Sequence, residues 1–352
     1  MTDIERVRAT PWPAEFAPGA SNALRTCLRL RPDERLTIIT DRETSPIAAA
    51  LLEEAERIGA TMSLFLLEEA GSRPLRDMPG TILADLAQSR VSIFAAQAQE
   101  GELQSRVQMC AVVNQRRIRH GHMVNISRRI MQEGMKADFL QVDRLSDAVI
   151  RRARSAGRLR ATTPAGTDLE AEFSPVLRWV KTSGIIADDT WGNLPGGEVF
   201  TAPWKVNGVF VADGVVGDYL CRKYGDLRTT PLTVEIQDSR IRDVRCPDEN
   251  LQRDFLSYVA TDANSNRVGE IAVGTNLAVR SIIGEILQDE KYPGVHIAFG
   301  HPYAEHTGAD WNSATHIDCV GRDFSVWLDE EQIMSAGVFS DDYLAAAGGN
   351  GQ

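Results

Sequence analysis

Four of the six histidines lie close together in the chain, in the segment 296–316. They are His296, His301, His306 and His316. Imidazole is the commonest protein ligand for metal ions and a general base near neutral pH, so this concentration of a rare residue indicates a functional site. Surface loops also collect histidines, and the cluster alone leaves both interpretations open.

Two members of the cluster lie in β-patterned runs. In the run Ala314–Val320, His316 and Asp318 are two positions apart, so a strand would place both on one side and Ile317 on the other. An imidazole nitrogen beside a carboxylate oxygen offers two ligands to a divalent ion. His296 lies in the similar run 294–299, where a hydrogen-bonded core histidine is the alternative.

Two carboxylates stand out by their surroundings. Glu198 follows Gly197 and begins an apolar run, and the permissive glycine backbone can bring such an acid close to a ligand. Glu270 lies inside the apolar run 267–274. Burial of a lone carboxylate is costly, so each acid needs a partner, either a metal ion or a basic side chain. The sequence leaves both kinds of partner open.

The elements that must position these residues change character near residue 157. Before it, strand-like runs (34–41, 62–67 and 91–96) alternate with helical patterns, which predicts a parallel sheet covered by helices. After it come a hairpin over 158–173 and several short β runs. We expect an α/β N-terminal domain with a parallel sheet (1–156), an α+β catalytic domain with a mostly antiparallel sheet (157–345), and a flexible tail (346–352). No GxGxxG follows a strand of the first half, which argues against a dinucleotide-binding domain.

The bulk composition bounds the function. The chain has 352 residues, 43% hydrophobic and 25% charged, as expected of a soluble globular protein with two domains. Its net charge of -11 argues against a nucleic-acid partner. No apolar run reaches the roughly 20 residues of a membrane span. The N-terminus has no signal-peptide pattern and the five cysteines are scattered, so we expect a cytoplasmic protein with reduced thiols and no membrane partner.

Five motifs in order resemble the aminopeptidase T family of metallopeptidases, over about residues 190–320. They are Asn193–Pro203, Gly269–Glu270, Leu287–Glu290, Gly294–Gly300 with Tyr303, and His316–Asp318. The resemblance implies two divalent ions (Zn, Co or Mn) per chain and a homodimer. It assigns the metal ligands position by position as Glu198, Glu270, Glu290, His296, His316 and Asp318.

The same resemblance implies catalytic roles. Glu270 would bridge the ions, Tyr303 would hydrogen-bond the oxyanion without binding a metal ion, and Glu198 would also steer the proton of the attacking water. The segment from Glu290 to His296 is one residue longer than the family pattern. The segment after Tyr303 is shorter and carries two histidines outside that pattern. The expected substrate-binding residues, which lie beside the motifs, are His301, His306 and Trp311.

The expected function is therefore a metal-dependent hydrolase, foremost an aminopeptidase acting on short peptides. One alternative is a hydrolase of small amides or aromatic amines on the same metal site. A second is an Fe(II) ring-cleaving dioxygenase resembling 2,5-dihydroxypyridine dioxygenase, for which His316 and Asp318 fit two positions of a facial triad. Its third ligand would be a histidine where this chain has Glu270. The retained Glu198 and Glu270 favour hydrolysis.

Overall fold

The computed structural model describes residues 1–348. The strands of the described residues are β1 Arg35–Thr40, β2 Thr61–Leu66, β3 Val91–Ala95, β4 Arg119–His122, β5 Arg158–Thr162, β6 Asp168–Glu172, β7 Val180–Thr182, β8 Trp191–Asn193, β9 Glu198–Thr201, β10 Lys205–Ala212, β11 Leu232–Gln237, β12 Arg240–Arg245, β13 Val268–Gly274, β14 Gly294–Gly300, β15 His316–Val320, β16 Ser325–Leu328, β17 Glu331–Ser335 and β18 Val338–Phe339.

The α-helices of the same residues are α1 Asp3–Arg8, α2 Ala17–Ser21, α3 Ser45–Ile58, α4 Leu67–Ala70, α5 Gly80–Leu86, α6 Leu103–Arg116, α7 Arg128–Gln132, α8 Phe139–Ser155, α9 Asp218–Tyr224, α10 Glu249–Tyr258, α11 Ile286–Asp289, α12 Ala304–Thr307 and α13 Asp341–Ala346. Short 3₁₀ turns cover Ala14–Phe16 and Gly134–Lys136, and a π-helical turn covers Asn22–Cys27. None of the helices described is long and apolar enough to cross a membrane.

The chain divides into two compact units. The first comprises residues 1–140 and 184–196, and the second comprises residues 141–183 and 197–352. The second unit begins before the expected boundary at 156/157. The reason is that the amphipathic helix α8 packs its apolar side, including Leu145 and Val149, into the core of the second unit. Of the expected flexible tail, residues 349–352 lie outside the described residues. Ala347 is fully buried in the core of the second unit.

The first unit is built on a parallel five-stranded sheet, in the order β2-β1-β3-β4-β8. Strand β1 is apolar on both faces, because Leu36, Ile38 and Ile39 are all buried. Helix α3 follows β1 and ends at Gly59, which adopts a left-handed conformation with φ 87°. The expected α/β domain with a parallel sheet is confirmed.

The second unit contains two sheets in which every strand pair is antiparallel. The larger sheet has the order β12-β11-β10-β6-β5-β16-β17-β18. It includes the predicted hairpin of β5 and β6. The smaller sheet has the order β15-β14-β13-β9-β7 and is called the site sheet below. The expected α+β domain with a mostly antiparallel sheet is confirmed.

One face of the site sheet belongs to the hydrophobic core of the second unit. Val199, Ile271, Ile297, Phe299 and Ile317 all join this core, and each is almost completely buried. Burial of each such side chain contributes about 1.5–3 kcal/mol. Because strand residues alternate between faces, this packing fixes which residues lie on the opposite face.

Candidate metal centre

The polar face of the site sheet gathers five of the six residues expected to bind metal. Glu270 on β13 pairs with Ala298 on β14, which in turn pairs with Asp318 on β15. His296 lies two residues before Ala298, on the same face. Two further residues complete the face, Glu198 on β9 and His316 on the edge strand β15. Their common orientation follows from the period of two along each strand.

The prediction that His316 and Asp318 share a side is confirmed. His316 Nε2 lies 3.3 Å from Asp318 Oδ1, whereas Ile317 lies in the core on the other face. His316 Nδ1 donates a hydrogen bond of 2.9 Å to the carbonyl oxygen of His301. That bond leaves Nε2 directed at the carboxylates, which is the arrangement of a metal-binding histidine held by a backbone carbonyl.

Glycines allow the strands to place these acids. Gly197, just before Glu198, has φ 131°, and a Cβ there would lie 2.6 Å from Cβ of Asn276. Gly269, just before Glu270, lies where β13 shifts register, and a Cβ there would lie 2.4 Å from the carbonyl oxygen of Gly300. Close backbone packing on both strands therefore depends on residues without a side chain.

Three of the side chains converge as a metal site requires. His296 Nε2 lies 3.4 Å from Glu198 Oε2 and 3.5 Å from Glu270 Oε1. Within residues 1–348 this buried nitrogen has no hydrogen-bond partner. Ligand atoms at tetrahedral positions about 2.1 Å from a zinc ion lie about 3.4 Å apart. These three residues are also the one group of metal-binding side chains in the described chain whose ligand atoms converge within 4.8 Å. The residues present fit a divalent ion.

The electrostatics of Glu198, Glu270 and His296, called the triad below, also favour a divalent ion. Burial acts to lower the pKa of His296, but Glu198 and Glu270 outweigh it and raise this pKa to about 10. Burial raises the pKa of Glu270. The pKa of Glu198 is held well below its usual range, because Lys291 and His296 outweigh the effect of burial. Crowded carboxylates that draw a proton onto a buried imidazole mark a position where a divalent cation would displace that proton.

His316 and Asp318 show the same coupling beside the triad. Asp318 and Glu270 raise the pKa of His316 to about 10, against the lowering effect of burial. His316 Nε2 lies 3.8 Å from Glu270 Oε2. Glu270 therefore faces His296 with one oxygen and His316 with the other.

Glu290 lies at the C-terminal end of α11 and contacts a residue that sequence reasoning missed. Its Oε1 lies 2.6 Å from Nζ of Lys291, and the same nitrogen lies 2.6 Å from Glu198 Oε1. Lys291 is 1% exposed. Burial raises the pKa of Glu290 to about 8, against the lowering effect of Lys291. Thr182, also missed, donates a hydrogen bond of 2.8 Å to Glu198 Oε1.

The other expected site residues follow β14 in the chain. The Tyr303 ring packs 4.8 Å from the ring of His316 and 5.2 Å from that of His301. Tyr303 has a left-handed backbone with φ 49°, unusual for a residue with a side chain. His306 is exposed on α12 beside Glu305.

Trp311 is stacked on a basic side chain. The guanidinium carbon of Arg267 lies 3.5 Å from the centre of the indole ring. The buried indole nitrogen has no hydrogen-bond partner within residues 1–348. The structure therefore brings Tyr303 and His301 to the polar face of the site sheet, and within the described residues it gives no contact between His306 or Trp311 and the triad.

Comparison with known proteins adds a family and a fold. The chain aligns over 92% of its length with the structure of wild-type AmpT from Thermus thermophilus, covering 98% of that chain at 18% identity and a TM-score of 0.67. It aligns over 94% of its length with 2,5-dihydroxypyridine dioxygenase from Pseudomonas putida, covering 99% of that chain at 16% identity and a TM-score of 0.67. At these identities both likenesses show the fold alone. Among curated protein sequences, none matches this chain.

The family model described as thermophilic metalloprotease (M29) matches residues 151–326, half of the chain. This stretch contains all six expected metal ligands and both residues expected to act in catalysis. It also covers the whole of the site sheet. By this match the chain belongs to the M29 family of thermophilic metalloproteases.

Proposed function

We propose that this chain is a metal-dependent aminopeptidase whose ion binds at Glu198, Glu270 and His296. The observation that carries the proposal is the unpartnered Nε2 of His296, which faces two carboxylate oxygens at the spacing of metal ligands. A zinc, cobalt or manganese ion at that position supplies Lewis-acid activation of water and of the substrate carbonyl group. The membership in a metalloprotease family supports the same chemistry.

The residues around the triad have separable roles in this proposal. His316 and Asp318 extend the ligand set from the neighbouring strand, with the His316 ring held by the carbonyl oxygen of His301. Tyr303, packed against the His316 ring, donates a hydrogen bond from its hydroxyl group to the developing oxyanion. We assign Glu198 as a ligand through Oε2, because its Oε1 already accepts from Thr182 and Lys291. That engagement disfavours the proton-accepting role expected of the same residue.

The family and the charge of the site support one substrate class. The site presents the carboxylates of Glu198, Glu270, Glu290 and Asp318, which attract the protonated α-amino group of a peptide. We propose a short peptide with a free amino terminus as the substrate. A small amide or an aromatic amine is the alternative on the same site. The expected homodimer and cytoplasmic location stay predictions.

The test is hydrolysis by the full chain after reconstitution with zinc, cobalt or manganese. We expect release of p-nitroaniline from leucine p-nitroanilide and at least a tenfold slower reaction on its N-acetylated counterpart. The variant Glu270→Gln should lose activity, whereas Glu235→Gln, on β11 of the other sheet, should keep it. Equal rates on the free and acetylated substrates would redirect the proposal to a general amidase.

The chain shares its fold with a ring-cleaving dioxygenase, so a test for oxygenase activity can reject the hydrolase proposal. Oxygen uptake with a dihydroxylated pyridine, dependent on Fe(II) and on His316 and Asp318, would assign the chain to oxygenase chemistry. We expect no such uptake, because Glu270 provides a carboxylate where that mechanism calls for a second histidine ligand.

A further inference from the structure

A buried cation, the ammonium group of Lys291, lies beside the polar face of the site sheet. Lys291 is almost completely buried, and its Nζ lies 2.6 Å from Oε1 of Glu198 and 2.6 Å from Oε1 of Glu290. An ammonium group in the interior needs such close partners, because its desolvation costs several kcal/mol. Both partners belong to the six residues that the family resemblance assigns to two metal ions. Lys291 therefore competes directly with a metal ion for these carboxylates.

The two carboxylate oxygens of Glu198 have different partners, because Lys291 contacts only one of them. Oε1 accepts from Lys291 and from the hydroxyl group of Thr182, whereas Oε2 faces His296 Nε2 at 3.4 Å. Only one oxygen of Glu198 therefore faces His296. Glu290 directs Oε1 at the lysine, and it is not a member of the one convergent triad in the described chain.

Formal charges favour one ion over two. The four carboxylates of the site carry four negative charges when ionised, the imidazoles of His296 and His316 are neutral when they bind metal, and Lys291 contributes one positive charge. One divalent ion leaves the site at -1, whereas two ions leave it at +1. A net charge of -1 suits a substrate with a protonated α-amino group, and a buried positive site would repel that group.

We propose that the ammonium group of Lys291 takes the place of a second metal ion, so that the centre holds one divalent ion and Glu290 binds the lysine instead of metal. The inference rests on the proposed metal site and adds to it the number of ions and their ligands. Glu198 Oε2, Glu270 and His296 would hold the ion, with His316 and Asp318 as further ligands. Lys291 is a positioning residue that holds Glu198 with Oε2 toward that ion.

The experiment measures metal content at saturation. The full chain is stripped with a chelator, dialysed against excess manganese or zinc, freed of unbound ion, and analysed by inductively coupled plasma mass spectrometry. We expect about one equivalent per chain in the wild type, in Lys291→Arg and in Glu290→Gln. We expect about two equivalents in Lys291→Met, because that change frees an oxygen of Glu198 and one of Glu290 for an ion.

Lys181→Met is the matched control. Its Nζ also bridges two carboxylates, those of Asp143 at 2.8 Å and Asp147 at 2.7 Å. Both acids lie on α8 and are not among the proposed metal ligands. We expect this variant to bind one ion, as the wild type does. Circular dichroism checks the fold of each variant, and Lys291→Gln carries the same expectation as Lys291→Met if the methionine variant does not fold.

The outcomes separate this inference from the proposed function. Two ions in the wild type, or one ion in every folded neutral variant of Lys291, would overturn the inference and leave the metallohydrolase proposal standing. A wild-type chain that binds no ion would overturn the metal site itself, and the inference with it.

Discussion

The hydroxyl group of Thr182 donates a hydrogen bond of 2.8 Å to Oε1 of Glu198. Thr182 ends β7, the edge strand of the site sheet, and pairs there with Glu198 on β9. The bond orients a carboxylate whose other oxygen faces His296. Partners that orient ligands in this way tune the affinity of a metal site.

Replacement of Thr182 by valine should therefore weaken metal binding without unfolding the chain. We expect the dissociation constant to rise about 10–100-fold, the usual effect of removing such a partner. Competition with a chromophoric chelator measures it. Thr190→Val, which removes a hydroxyl group bonded to a backbone carbonyl in the first unit, serves as the control and should bind metal as tightly as the wild type. Equal affinities in both variants would show that Thr182 does not position Glu198.

Replacement of Gly197 by alanine should destabilise the second unit and disturb the site. The new Cβ would lie 2.6 Å from Cβ of Asn276, on a backbone with φ 131°. We expect a loss of about 1–3 kcal/mol in the free energy of unfolding, together with weaker metal binding. Urea denaturation of the metal-free chain measures the first effect. Gly80→Ala is the control, because a Cβ there meets nothing within 4 Å at the start of a helix.

Metal removal should lower the thermal stability of the chain. An ion that binds only the folded state stabilises it by about 2.7 kcal/mol when its free concentration is 100 times the dissociation constant. We expect chelation to lower the melting temperature of the wild type and to leave that of His296→Ala unchanged. A variant that still responds to the chelator would show that His296 is dispensable for metal binding.

Much of this architecture was predictable from local patterns. The alternation of strands and helices predicted the parallel sheet of β1, β2 and β3, and the period of two in β15 predicted the shared side of His316 and Asp318. Lys291 was not predictable in this way. Its contact with Glu198 joins residues far apart in sequence, and a lysine after an acid on a short helix usually reaches solvent. Strand β8 was not predicted either, because a run of three residues is too short to show the alternation of a strand.

The first unit should lose stability in mild acid. Burial lowers the pKa of His120 to about 3, whereas an unfolded chain protonates histidine near pH 6.5. The folded state therefore binds fewer protons, so the contribution of neutral His120 is complete above pH 6.5 and falls as the pH drops below it. The loss reaches about 2 kcal/mol by pH 5.

The measurement is chemical denaturation at pH 7.5 and pH 5, with fluorescence of Trp191 as a reporter in the first unit. Its indole ring packs edge-on against His122, which neighbours His120 on β4. We expect His120→Asn to show a smaller loss between the two pH values than the wild type. An identical loss in both proteins would mean that His120 does not control the acid sensitivity.

The central claim is the position of the metal ion, and anomalous X-ray scattering tests it most directly. Crystals of the full chain grown with zinc or cobalt would be measured on both sides of the absorption edge of that metal. The account predicts one strong anomalous peak between Glu198 Oε2, Glu270 Oε1 and His296 Nε2. A peak located elsewhere, or no peak at this position in crystals saturated with the metal, would contradict it.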